Sequence, residues 1–105
     1  MAVTAEVKQA ALEKLRLAYQ RAHGDAAADQ AGVEVRYAAD KAPILQEYQA
    51  SREEAGVVRF RTRMKPLALA RDGQYRRIGD AHRAAREAAK AVYRTETGED
   101  PPEGA

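Results

Sequence analysis

Apolar residues recur along most of this chain at intervals of three and four, the spacing that gathers side chains on one face of an α-helix. Val7, Ala11, Leu15, Ala18 or Tyr19, and Ala22 form the first run, with Thr4 placed to cap it and Glu6 near its positive end. This run predicts a helix to about His23, which Gly24 and Asp25 should stop, followed by loop or a helical turn over 26–32. Val33, Val35 and Tyr37 alternate as a short strand would, yet Tyr37, Ala38, Ala39 and Ala42 suit a helix reaching Pro43, and helix is preferred. Pro43 fits the first turn of a further helix, where its missing N–H is not needed, and Ile44, Tyr48, Ser51, Ala55, Val58 and Thr62 then share a face.

Residues 57–64, VVRFRTRM, fit two elements. Val58, Phe60, Thr62 and Met64 alternate with Arg59, Arg61 and Arg63 as in a basic strand, whereas Phe60, Met64 and Leu67, continued backwards by Val57, make a helical stripe up to Pro66. The Ala-rich remainder favours helix. Asp72 and Gly73 punctuate, and residues 74–95 are the strongest periodic block, through Tyr75, Ile78, Gly79, His82, Ala85, Ala89, Val92 and Tyr93. The tail, residues 96–105, is acidic and rich in Pro and Gly and reads as disordered, leaving 1–95 as a single helical domain. The expected class is all-α, a small helical bundle with long amphipathic helices, with either one helix or a helix-turn-helix over 74–95.

Composition changes this picture in one respect. Six Leu, two Ile, seven Val and one Phe in 105 residues make a thin core, because much of the apolar content is Ala. A monomer with so little to bury is marginal, so a homodimer or a protein partner is expected. The absence of Cys excludes disulfides, thiolate metal sites and thiol nucleophiles. Glu6, Lys8, Glu13, Lys14 and Arg16 interrupt the first twenty residues, so neither a signal peptide nor a membrane span is read there and a cytoplasmic protein is expected.

Charge is unevenly placed. Residues 1–51 hold six basic and seven acidic side chains, residues 52–94 hold twelve and five, and residues 95–105 hold none and four, which accounts for the net charge of +2. A nearly neutral chain that concentrates positive charge in one segment points to nucleic acid, with a solvated Arg-rich helix surface as the alternative.

The run Gly73–Arg94, GQYRRIGDAHRAAREAAKAVYR, resembles the helix-turn-helix of small sigma-region-4-like DNA-binding proteins of high-GC bacteria. It covers about a fifth of the chain. In that resemblance Ile78 is the core residue of the first helix, Gly79 lets two helices approach, and Ala89 and Val92 face inward from the second. The resemblance implies a recognition helix in the major groove with Arg83, Arg86, Glu87 and Lys90 toward base edges and Arg76 and Arg77 on phosphates, while even a continuous helix is expected to keep Arg76, Arg83, Arg86, Lys90 and Arg94 exposed for backbone binding. The family's turn places Gly and then an aliphatic residue where this chain has Arg83 and Ala84. The same residues at helical spacing support one unbroken helix, with Arg83 and Glu87 as an i,i+4 pair.

Other chemistry is sparse. His23 and His82 have no second ligand at metal-site spacing, and His82 lies on the apolar stripe, so no metal or cofactor is expected. Ser51 and the threonines lack a neighbouring base, a Gly-rich elbow or a phosphate-binding loop, so neither enzyme activity nor a small-molecule substrate is expected. Arg59, Arg61 and Arg63 on a strand would resemble the ribbon of a ribbon-helix-helix dimer, but PLALARDG is too short for its first helix. The five tyrosines fall on or beside apolar stripes and are expected in core or interface with the hydroxyl outward. The function expected is DNA binding through residues 52–94, as a transcriptional regulator or nucleoprotein component. The alternative is a non-enzymatic helical assembly module, a scaffold or antitoxin-like partner, whose acidic tail shields the basic block.

Overall fold

The computed structural model describes residues 3–50 and 54–103. It is all-α: α1 spans Ala5–Ala50 and α2 spans Glu54–Thr97, and no strand occurs among the described residues. Both segments that alternate like strands, 33–37 and 57–64, are helical.

The helix breakers do not break. Gly24, Asp25, Asp72 and Gly73 lie inside helices, as do Pro43 and Pro66. A glycine in a helix interior costs only about 1 kcal/mol relative to alanine and a proline about 3, and a packed apolar face outweighs either. Pro43 sits mid-helix rather than in a first turn. The carbonyl it leaves without a donor belongs to Ala39, which is exposed to water. Pro66 does the same to Thr62, also exposed, whose hydroxyl donates to the Val58 carbonyl at 2.9 Å.

The start of α1 and the end of α2 carry cap chemistry, although α2 runs to Thr97, into the tail that composition reads as disordered. Thr4 Oγ1 accepts from Val7 N–H at 3.2 Å, capping α1. At the other end Gly98 takes a left-handed φ of 71° and its N–H donates to the Arg94 carbonyl at 2.7 Å, the glycine C-cap that alone among the described residues needs positive φ. Since α2 begins in its own register at Glu54, the face expected to run on from Ile44 and Tyr48 does not: Ala55, Val58 and Thr62 are exposed, while Gly56 is buried and Val57 and Phe60 are half-buried. Ser51 of that face lies outside the described residues.

Contacts divide the chain into two units, the first made by residues up to Ala27 with those from Gly79 onward, the second by Ala28–Ile78. In the first, α1 and α2 pack antiparallel around Ala11, Leu15 and Tyr93, with Leu12, Tyr19 and Ala89 against them. In the second, Val33 and Ile44 are buried and the Tyr48 and Phe60 rings meet with centroids 4.6 Å apart. The core is as thin as the composition implied. Its buried apolar residues are Ala11, Leu15, Ala22, Val33, Ile44 and Tyr93, whereas Val7 and Val92, on the sequence stripes, are 46% and 42% exposed. Gly79 does not serve close helix approach, since a Cβ added there meets nothing within 4 Å.

Candidate nucleic-acid interface

On a helix, residues two apart project to different sides, and this sorts the basic segment. In the second unit Arg59 and Arg63, spaced by four, share one flank of α2, and Arg61 and Lys65 share another. Arg63 pairs with Glu47 of α1. Arg71 turns to α1, where its Nε and Nη2 donate to Glu34 Oε1 at 2.9 and 2.6 Å.

That carboxylate is the centre of a cluster. The Tyr75 hydroxyl donates to the same Glu34 oxygen, and the Arg71 guanidinium lies 4.7 Å from the Tyr37 ring centroid and 5.5 Å from that of Tyr75. Hydrogen bonds from Tyr75 and Arg71 hold the Glu34 carboxyl below its ordinary 4.5. Reciprocally, the bond to Glu34 raises the Tyr75 phenol above its ordinary 10.0 and strengthens the hold of Arg71 on its proton. The cluster fixes which residues of the two helices meet in the second unit, as a polar group at a helix seam does.

With Arg63 and Arg71 paired to carboxylates of α1, five further exposed cations of α2 lie in the second unit among the described residues: Arg59, Arg61, Lys65, Arg76 and Arg77. None has a carboxylate within 4 Å among the described residues. Along the helix the nearest described acid is Glu54 for Arg59 and Arg61, Asp72 for Lys65, Asp80 for Arg77, and Asp72 and Asp80 equally for Arg76. The sequence singles out Arg76 and Arg77 for phosphate, and both are exposed. Arg59 and Arg61 are singled out only with the ribbon-helix-helix alternative and Lys65 not at all; on the helix, spacing by four places Arg59 with Arg63 and Arg61 with Lys65.

The other sequence-selected residues fall in the first unit, and most are already engaged. Arg83 lies 3.4 Å from Asp80, and Lys90 donates to Glu87 at 3.2 Å, so the expected Arg83–Glu87 pair gives way to two i,i+3 pairs. Arg86 lies over the Tyr19 ring at 4.5 Å, and Arg94 Nε donates to Asp100 at 2.7 Å. Residues 74–95 form one helix, and no described non-glycine residue has a positive φ, so Arg83 and Ala84 make no turn. A left-handed arginine costs about 1–2 kcal/mol, whereas alanines on both sides extend the helix freely. Arg83, Arg86, Lys90 and Arg94 therefore share a broad flank of a continuous helix rather than the face of a separate recognition helix.

The tyrosines lie on the packed faces, with Tyr93 buried and Tyr19, Tyr37, Tyr48 and Tyr75 half-buried, but the Tyr75 hydroxyl turns to Glu34 rather than outward. No cluster of three potential metal ligands occurs among the described residues, and no described helix is long and apolar enough to cross a membrane. No protein-family model matches the chain, and neither the curated proteins nor the solved structures contain a match.

Proposed function

We propose that this chain is a small non-enzymatic DNA-binding protein, a nucleoprotein component of the cytoplasm, that grips the phosphate backbone through the solvent side of α2 in the second unit. One observation carries the reading: Arg59, Arg61, Lys65, Arg76 and Arg77 are exposed with no described carboxylate within 4 Å, although the chain is rich in acids. Phosphate contact requires charge at the surface and no turn. Without the turn, base readout by Arg83, Arg86 and Lys90 loses its support, and the binding expected has little sequence preference.

The test is fluorescence anisotropy with a labelled mixed-sequence duplex. Five phosphate contacts, at a slope of about 0.9 each, correspond to a roughly 500-fold loss of affinity between 50 and 200 mM salt. No binding at the lower salt would sink the proposal.

A second reading, an assembly module that docks on another copy, is favoured by one feature of the first unit. There Ala18, Arg21, Ala22 and Asp25 of α1 and Ala85, Ala88, Ala89 and Val92 of α2 line an open groove. Sedimentation equilibrium decides it: a concentration-dependent dimer that Ala88→Glu converts to a monomer supports docking, and a monomer at all concentrations removes it.

A further inference from the structure

The acidic end of the chain contacts basic side chains of the first unit. Lys8 Nζ donates to Glu99 Oε1 at 2.8 Å, Lys14 Nζ to Glu96 Oε1 at 2.7 Å, and Arg94 Nε to Asp100 Oδ1 at 2.7 Å. The geometry is set by the backbone. The left-handed Gly98 ends the helix, and the Thr97 hydroxyl, on a buried residue, donates to the Tyr93 carbonyl at 2.8 Å and accepts from Glu99 N–H at 3.2 Å. Pro101 follows half-buried. Glu99 and Asp100 are thereby presented to Lys8 and Arg94 by a built turn, and the hydrogen bond to Glu99 raises the Lys8 ammonium above its ordinary 10.5.

We propose that Lys8, Lys14 and Arg94 are a second contact surface for nucleic-acid phosphate, which the chain's own segment Glu96–Asp100 occupies. The inference rests on the DNA-binding reading above. Carboxylate oxygens at 2.7–2.8 Å from ammonium and guanidinium groups take the place of phosphate oxygens. Each pair is solvent-exposed and individually weak, so a polyanion can displace it. The tail competes because it is tethered, which gives its carboxylates a high local concentration without affinity of their own. Bound in this way it lowers the affinity of the first unit for DNA and reduces the number of counterions released.

The test measures duplex affinity for the full chain, the triple variant Glu96→Gln, Glu99→Gln, Asp100→Asn, and a control triple Glu13→Gln, Asp25→Asn, Asp29→Asn that changes net charge equally. With up to three cations freed, the tail variant is expected to bind roughly tenfold or more tighter at 50 mM salt, with a salt slope steeper by about 0.9 per freed cation. The control should gain much less. Adding Lys8→Ala and Lys14→Ala to the tail variant should remove most of the gain, whereas the same pair in the unaltered chain should change little. Circular dichroism confirms that each variant is folded. Equal gains in both triples would mean that net charge alone acts, and would overturn the proposal. Salt-sensitive binding that the tail variant leaves unchanged would overturn it too, with the DNA-binding reading standing. Absence of binding by every variant would remove both.

Discussion

Glu34 receives Arg71 on a single carboxylate oxygen, through both Nε and Nη2, while Tyr75 donates to that same oxygen. The interaction requires the ionised carboxylate. Because the folded-state pKa of Glu34 lies below its ordinary 4.5, the unfolded chain binds more protons in the acid range. Its stabilisation is present above pH 4.5 and is lost as pH falls through the folded value. Thermal unfolding followed by circular dichroism should show a melting temperature that drops below pH 4.5, and Glu34→Gln should lower it at pH 7 while flattening that drop. An unchanged acid limb in the variant would remove Glu34 as its source.

Leu15 and Leu17 stand two residues apart and differ in everything but chemistry. Leu15 is 2% exposed and Leu17 65%. Leu15→Ala should destabilise by about 2–5 kcal/mol in urea unfolding, and Leu17→Ala by no more than about 0.5. Similar midpoints for the two variants would contradict the packing of the first unit.

Gly24 and Gly79 occupy helix interiors without positive φ, and a Cβ at either meets nothing within 4 Å. Gly24→Ala and Gly79→Ala should each stabilise by about 0.5–1 kcal/mol, measured as a shift in denaturant midpoint at constant slope. Pro43→Ala should stabilise further, by up to about 3 kcal/mol. At Gly98, whose φ is 71°, alanine should instead destabilise.

For the basic surface, the two sets of arginines separate the readings. Arg59→Ala with Arg61→Ala should weaken duplex binding and reduce the salt slope by about 0.9 per residue. Arg83→Ala with Arg86→Ala removes one side chain paired with Asp80 and one stacked on Tyr19, and should do less. The reverse order of effects would return the interface to residues 83–94.

Much of the fold was legible. The Val7–Ala22 stripe found Ala11, Leu15 and Ala22, and Thr4 and Glu6 marked the start of α1, because capping and periodicity are local properties. Gly24, Pro43 and Asp72–Gly73 misled for a physical reason: a breaker states a local cost, and whether a helix ends there depends on packing distant in sequence. The pairing of Arg71 with Glu34 spans 37 residues, and no periodicity in either segment announces it. The basic segment was legible as charge. Which of its members face α1 and which face solvent depended on the register of α2, and that is set from Glu54 onward rather than inherited from Pro43.

The sequence separation of contacts differs between the units, and this orders their formation in time. In the second unit Arg63 and Glu47 are 16 residues apart, whereas in the first Lys14 and Glu96 are 82 apart and Lys8 and Glu99 are 91 apart. Closing the shorter loop loses less chain entropy, and once Glu34 and Arg71 have met, the remaining segments search a smaller space. Refolding should therefore begin around Tyr48 and Phe60 and spread outward, with the tail bonds to Lys8 and Lys14 the last to form and the first to fray.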